Sequence, residues 1–362
     1  MIRICRPQGN QSPISLPTKS KEVFWFFVLF FLLADFQFRN PNQEFFTMAA
    51  KQEIILYHYS FSPYARRIVW YLNLRQIPYT QCHQPPTMPR PDITAIGTLY
   101  RRIPILSIGR SVYNDTRLIL QKLETFYPPS PSHPALSSPE SGLMEKMFET
   151  WTVDAGLFMR ASQLIPADMP LLKDEKFQRD REEYTGRSWS REGIERARGE
   201  ALVDVRGAFE RVEGLVLGDG REWNLKGALP PTYISATHFP KVFAWIERFS
   251  AAERAAASKL GKPRTIKGPE ALEIVSSSDF AEGLHQSQEG EIEDPTGLKL
   301  GQEIEVWPID SGFRNRDRGT LVRLDGEEVV IERVNAKGVV VRVHAPRHGF
   351  RVRGVGGEES RL

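Results

Sequence analysis

The segment IILYHYSFSPYARRIVWYL constrains the fold most, because it changes from a strand pattern to a helix pattern within a few residues. Ile54–Tyr59 is apolar and β-branched at its start, which predicts a strand. Ser62 is a preferred helix N-cap residue, and Pro63 suits the first helical position. Apolar residues then recur at helical spacing through Ala65–Leu72. The chain therefore opens its first domain with a strand that runs directly into an amphipathic helix.

The next segments extend this beginning into a complete α/β unit. Strand patterns cover Ile77–His83, Ile103–Ile108 and Ser111–Tyr113, and Asp115 caps a second amphipathic helix. A short helix over Asp92–Leu99 lies between the second and third strands. The resulting β-α-β-(α)-β-β-α order predicts a thioredoxin-like domain over residues 53–127, with a right-handed first crossover.

Three further regions follow the proline-rich segment that ends this unit. Residues 137–260 carry long helical patterns and predict an all-α domain. Residues 261–297 are polar and are predicted to be a linker. In residues 298–355 the period changes to two, and about five short strands predict a small all-β, barrel-like module.

Composition excludes several classes of protein. The chain has 48 basic and 45 acidic residues, a formal net charge of +3, which does not indicate a nucleic-acid-binding protein. Its two cysteines, Cys5 and Cys82, do not form a disulfide framework or a metal site, so we expect no metal and a reducing, cytoplasmic compartment. The basic turn at Arg314–Arg318 favours a solvated loop.

Residues 1–47 stand apart from this domain plan. Two lysines precede the apolar, phenylalanine-rich run Val23–Leu33, which is short for a membrane-spanning helix. The run fits a targeting segment or a short membrane anchor, the one route by which we expect membrane association. Alternatively, Met48 stands just before the first predicted strand, and the upstream stretch is dispensable or untranslated.

Three segments of the first domain carry candidate binding chemistry. The helix that begins after Ser62 offers unpaired N–H groups and a positive dipole end, which stabilise a thiolate. Arg102-Ile103-Pro104 precedes the third strand, where a cis proline would expose the backbone of Ile103 to a peptide-like ligand. Ser62 and Pro104 also have plain structural interpretations, as an N-cap and a strand-initial proline.

Asp115-Thr116 is the third segment. It stands at a predicted helix N-terminus, where an acid can pair with an ammonium group, and a hydroxyl and free N–H groups can bind a carboxylate. An ordinary helix cap is the alternative interpretation of Asp115.

The first strand and helix resemble those of omega-type glutathione transferases, and alignment on Pro63-Tyr64-Ala65 and Arg67 puts Ser62 where that class has cysteine. The resemblance implies glutathione as co-substrate and a small-molecule electrophile, and it allows a homodimer. It implies Ser62 as the catalytic hydrogen-bond donor, because serine has no thiol–disulfide chemistry. The glutathione-binding residues that the resemblance implies are Phe61, Arg102, Ile103, Pro104, Asp115 and Thr116. The long tail is similar to that of fungal transferase-like proteins.

The resemblance weakens in the helical region. The Ser/Thr-x-x-Asp box that opens a buried helix in transferases is not found between Leu217 and Phe239, where the chain is rich in glycine and proline. Either this domain is rebuilt locally or the gene model omits a segment. A non-catalytic interaction or scaffold protein with a transferase fold therefore remains the alternative.

Overall fold

The computed structural model describes residues 52–137, 141–166, 169–217, 234–284 and 294–355. Residues 1–47, with the apolar run at 23–33, lie outside the described residues. Within the described ranges, no helix has both the length and the apolar character needed to cross a bilayer.

The first domain has its elements in the predicted order. The bounds are β1 (Ile54–His58), α1 (Pro63–Leu74), β2 (Thr80–His83), α2 (Pro91–Ala95), β3 (Ile105–Ile108), β4 (Ser111–Asn114) and α3 (Thr116–Phe126). Strand β1 pairs with β2 in parallel and with β3 antiparallel, and β3 pairs with β4 antiparallel. This is the thioredoxin-like arrangement that the sequence predicts.

The alternation of side chains along β1 explains why this strand is buried on both faces. Ile54 and Leu56 pack with apolar side chains of α1 and α3, such as Ile68. Ile55 and Tyr57 point to the opposite face and belong to a second core that includes α2. Successive strand residues face opposite sides of a sheet, so a strand covered on both faces is apolar along most of its length, here at residues 54–57.

The prediction of a linker over 261–297 is wrong for its first half. Residues Arg264–Ile266 form β5, which pairs in parallel with β2, and Gly268–Ser277 form helix α9. Ala271 and Val275 of this helix are buried in the same core as Ile55. The polar residues at 276–279 end the helix, so the composition that suggested a linker belongs to a helix terminus and its following turn.

The C-terminal strands extend the thioredoxin sheet. The strands are β6 (Glu303–Pro308), β7 (Asp317–Leu324), β8 (Glu328–Val334), β9 (Val340–Pro346) and β10 (Phe350–Gly354). Strand β9 pairs in parallel with β4, which gives one ten-stranded sheet in the order β10-β6-β7-β8-β9-β4-β3-β1-β2-β5. The five predicted strands are present, but they do not close into a barrel.

The helical region supplies a separate core. Its helices are α4 (Gly142–Glu149), α5 (Leu157–Ser162), α6 (Glu175–Thr185), α7 (Arg191–Arg211) and α8 (Pro240–Leu260). The buried side chains of α7 and α8 pack with Trp70 of α1, which joins this layer to the first domain. Between α4 and α5 the chain forms a π-helical turn, Thr150–Asp154, and Gly156 adopts a positive φ of 79° before α5 begins.

The region between Leu217 and Phe239 is the one in which the sequence has no Ser/Thr-x-x-Asp box. Most of it, residues 218–233, lies outside the described residues. Directly after it, the Ser235 hydroxyl lies 2.8 Å from Nδ1 of His238, at the spacing of a capping box. A turn rather than a helix follows Ser235, and α8 begins at Pro240. The side-chain hydrogen bond before α8 therefore joins Ser235 to His238, which occupies the position of the aspartate in a Ser/Thr-x-x-Asp box.

Candidate functional site

The register of three strands brings the predicted site segments to one end of the sheet. Tyr57 of β1 pairs with Ile105 of β3, and Ile105 pairs with Asn114 of β4. Since β3 runs opposite to its two neighbours, the end of β1, the start of β3 and the end of β4 coincide. Ser62, Ile103 and Asp115 each lie within a few residues of these positions, so the topology gathers them as the sequence predicts.

Ser62 is the N-cap of α1. Its Oγ accepts a hydrogen bond from the Ala65 N–H at 3.3 Å, and its side chain is buried. Pro63 at the first helical position has no N–H, which leaves one fewer donor at this helix end. A hydroxyl has one proton and two lone pairs, so the capping bond leaves the Ser62 proton for a second partner.

The Ile103–Pro104 peptide bond is cis, in agreement with the sequence prediction. Both residues are buried, directly before β3 begins at Ile105. Among the described residues, no backbone hydrogen bond to the N–H or C=O of Ile103 is found outside the regular elements. The N–H and C=O of Ile103 therefore lie at the end of the sheet, where they can form hydrogen bonds with a ligand.

Asp115 and Thr116 form the start of α3. Asp115 caps the helix, accepting from the Arg117 N–H at 3.0 Å, and it has a φ of 70°, which is uncommon for a non-glycine residue. The Thr116 hydroxyl accepts a hydrogen bond from the buried guanidinium of Arg67 at 3.1 Å. The Thr116 hydroxyl is therefore already bonded within the protein, and the sequence does not reveal that Arg67 is its partner.

Arg102 lies at the centre of these segments. Its guanidinium is 3.7 Å from the Asp115 carboxylate and donates to the Ser311 carbonyl oxygen at 2.9 Å and 3.3 Å. It also forms an ion pair with Asp310, in the loop between β6 and β7. Asp115 further accepts a hydrogen bond from the Tyr100 hydroxyl at 3.3 Å. The C-terminal strands thus contribute directly to a site that sequence reasoning placed in the first domain alone.

Two tyrosines near Arg102 are additional candidate site residues. Tyr64 of α1 and Tyr184 of α6 interact electrostatically with each other and with Arg102. The Tyr64 ring also packs on Phe158 of α5, with ring centroids 4.7 Å apart. The signal for Tyr64 was available in the sequence, because it stands in the first turn of the helix that Ser62 caps. No local pattern marks Tyr184.

Burial and neighbouring charges together set the protonation of Tyr64 and Arg102. Desolvation, with the neighbouring Tyr184, raises the pKa of Tyr64 well above its usual value, so its phenol is a hydrogen-bond donor at neutral pH. Desolvation alone would lower the pKa of Arg102, but the surrounding tyrosines and carboxylates hold it well above its usual value. The site therefore presents the neutral Tyr64 phenol and a permanent cation at Arg102.

Phe61 lies in the turn between β1 and α1. Its ring is half-buried and packs on Tyr59, with centroids 4.7 Å apart. The ring thereby fixes the turn that leads into Ser62, and its half-exposed position leaves part of it accessible to a ligand.

A second cluster of titratable groups lies on the face of the sheet that α3 covers. Glu282, Glu328 and His344 are buried with potential ligand atoms within 4.8 Å of one another. Lys122 lies 2.7 Å from Glu282 and 2.8 Å from Glu328, and Arg323 lies 2.6 Å from Glu328. Two cations already balance the two carboxylates, and a divalent ion would add two positive charges beside them. We therefore assign this cluster as a buried ion-pair network.

Two family models match separate parts of the chain. The model described as "Glutathione S-transferase, N-terminal domain" matches residues 56–131. A domain of unknown function, DUF7962, matches residues 160–226 and 224–258. Comparison with curated proteins gives no match.

Among solved structures, the chain is similar to the crystal structure of a GST-like protein from Pseudomonas syringae. The TM-score is 0.56 at 23% sequence identity, and the match covers 83% of this chain and 99% of that chain. The chain has a glutathione S-transferase-like fold. Because 83% of the chain is matched, the likeness extends beyond the segments that the two family models cover.

Proposed function

We propose that this protein binds glutathione at the end of the sheet formed by Ser62, Ile103 and Asp115, and promotes attack of its thiolate on a small electrophile. The observation that carries the proposal is the shared register of Tyr57, Ile105 and Asn114, which gathers the three segments at one sheet end. The transferase-like fold supports the same ligand class.

The proposed chemistry follows from the groups at this end. The glutathione sulfur lies at the N-terminus of α1, where the helix dipole and the Ser62 hydroxyl proton stabilise its negative charge. The thiol proton passes to solvent. A sulfur lone pair then forms the new bond to the electrophilic carbon, and the leaving group departs with the electrons of its own bond. The Ile103 backbone pairs with the peptide of glutathione, and Asp115-Thr116 lie at its γ-glutamyl end.

The proposal is tested first by binding and then by catalysis. Isothermal titration of the full chain with glutathione should show one site, and ligand should raise the unfolding temperature. A conjugation assay with an activated aryl halide should then show turnover that depends on Ser62. Binding with no turnover would remove the catalytic part of the proposal, and no binding would remove all of it.

A non-catalytic interaction protein is the second candidate, and one observation favours it. The side chains that would hold the γ-glutamyl end already have partners within the protein: Thr116 with Arg67, and Arg102 with Asp310 and Ser311. In a scaffold these contacts would be permanent. Retention on glutathione-agarose, eluted by free glutathione, contradicts the scaffold; no retention together with no ligand-induced stabilisation supports it.

A further inference from the structure

The loop between β6 and β7 connects the C-terminal strands to the proposed ligand site. Asp310 and Ser311 contact Arg102, as described above. At Gly312, a Cβ would lie 3.2 Å from the Tyr184 ring and 3.5 Å from the Arg101 side chain, and its φ is 72°. The loop is therefore packed closely against both the first domain and α6, at the end of the sheet where Asp115 lies.

The second C-terminal turn approaches the same place. His348, between β9 and β10, lies 3.2 Å from the Asp154 carboxylate, which also pairs with Arg117 of α3. The Phe350 ring stacks on Tyr100 at 5.8 Å, and Tyr100 donates to Asp115. Two turns of the C-terminal strands therefore border the start of α3, so the approach of Asp310 is part of a larger contact.

The charged groups around Arg102 include both signs, as a binding site for a zwitterion requires. Asp115 and Asp310 are two carboxylates that share this guanidinium, and the Ser311 carbonyl adds a third acceptor. Carboxylate and carbonyl oxygens accept from an ammonium group, and a guanidinium binds a carboxylate. Asp310 is 67% exposed, so it can reach a ligand without rearrangement of a core.

We propose that the loop between β6 and β7 supplies part of the ligand site, with Asp310 accepting the α-ammonium group of a γ-glutamyl thiol and Arg102 pairing with its α-carboxylate. The inference rests on the proposed function, because it names how that site selects its ligand. Binding exchanges one set of ion pairs for another: Arg102 leaves Asp310 for the ligand carboxylate, and the ligand ammonium takes its place. The C-terminal strands thereby act as a specificity element for ligands with a free amino-acid head.

The experiment compares glutathione with N-acetylated glutathione, in which a neutral acetamide replaces the ammonium group. Dissociation constants are measured by titration for the wild-type chain, Asp310→Asn and Asp310→Glu. The matched control is Asp279→Asn, since Asp279 is 82% exposed and also lies near an arginine, Arg110 at 3.9 Å. Asp279 adjoins the turn between β3 and β4, at the opposite end of the sheet.

We expect Asp310→Asn to weaken glutathione binding about tenfold, the loss of one charge-assisted hydrogen bond, with little effect on the N-acetylated ligand. Asp310→Glu should keep most of the wild-type affinity for glutathione. Asp279→Asn should leave the dissociation constants of both ligands unchanged. Unfolding temperatures should be the same for all variants.

Other results overturn the inference. An equal loss for both ligands would make Asp310 a structural residue, and unchanged or tighter glutathione binding would mean that the loop only borders or covers the site. Either result leaves glutathione binding itself intact. If the wild-type chain binds no glutathione, the proposed function and this inference fail together.

Discussion

The Nζ of Lys122 lies 2.8 Å from Oε1 of Glu328, and both side chains are buried. Lys122 belongs to α3 of the first domain, and Glu328 begins β8 of the C-terminal strands. The same Nζ contacts Glu282, which follows α9. One ammonium group therefore joins three segments that are distant in the sequence, and the contact connects the thioredoxin-like unit to the strands that extend its sheet.

Substitution of Lys122 should destabilise the whole fold. Lys122→Met leaves the carboxylates of Glu282 and Glu328 buried with Arg323 as their remaining guanidinium partner. Breaking a buried ion pair by removing one partner typically costs about 3–5 kcal/mol of unfolding free energy. Urea unfolding followed by circular dichroism measures the change. Lys337→Met, at an exposed pair with Glu273, is the control and should cost less than about 1 kcal/mol. Equal effects at both positions would contradict the assignment of a buried network.

The pH dependence of stability should report on Glu328. Although desolvation opposes ionisation, the charges of Lys122 and Arg323 and the hydrogen bond from His344 hold the pKa of Glu328 well below its usual value of 4.5. A carboxyl group whose pKa is lower in the folded state stabilises the protein above its unfolded pKa, and this contribution is lost as the pH falls. The loss should therefore begin near pH 4.5 and grow toward pH 3.

Comparison with Glu328→Gln separates the contribution of Glu328 to the pH dependence of stability from the contributions of the other carboxyl groups. We expect the wild-type chain to be more stable than the variant at pH 6, and the difference to narrow at pH 3. Each pH unit below the unfolded pKa removes up to about 1.4 kcal/mol from the wild-type advantage. Urea midpoints at the two pH values measure the difference. A gap that stays constant would show that Glu328 titrates alike in the folded and unfolded states.

The capping and catalytic roles of Ser62 can be separated by substitution. Gly at an N-cap costs only a few tenths of a kcal/mol relative to Ser, and it has no hydroxyl proton to donate. Ser62→Gly should therefore nearly keep the unfolding temperature while lowering conjugation by roughly 10- to 100-fold, the value of a hydrogen bond to a charged group. Ser62→Ala should lose both activity and about 1 kcal/mol of stability. Ser62→Thr should keep both, and full activity in Ser62→Gly would assign Ser62 to the cap alone.

The sequence predicts the first domain well because its determinants are local. The strand pattern of Ile54–Tyr59, the cap at Ser62 and the proline at Pro104 each act within a few residues, and the βαβ connection limits the topology. Their gathering at one sheet end follows from strand order alone. The contacts that the C-terminal strands make with this site could not be predicted, because no local pattern places Asp310 beside Arg102, 208 residues away.

The placement of the C-terminal strands could not be predicted for the same reason. Their period-two pattern gives five strands but does not say which edge they join, and β9 pairs with β4 across more than 200 residues. A partial signal was available in Lys122, a charged residue beside the apolar Leu123 on the helix that covers the sheet. A buried lysine needs a carboxylate partner, which indicates a contact with another segment but does not identify Glu328.

Gly109 offers a test of how the segment after α9 joins the sheet. It lies in the turn between β3 and β4 with a φ of 55°, and it forms a bridge with Phe280. A Cβ there would lie 2.1 Å from the Asp279 carbonyl oxygen, which accepts a hydrogen bond from the Arg110 N–H at 2.9 Å. Gly109→Ala should therefore displace this backbone segment as well as strain the turn.

Gly186→Ala is the matched control for that substitution. Gly186 ends α6 with a φ of 68°, and a Cβ there meets no atom within 4 Å. Its cost should be the conformational penalty alone, about 1–2 kcal/mol. Gly109→Ala should cost more, because its carbonyl neighbour is backbone and cannot rotate away, and amide hydrogen exchange should rise at Arg110. Equal losses of unfolding free energy, with unchanged exchange at Arg110, would show that residues 279–280 do not depend on the close approach at Gly109.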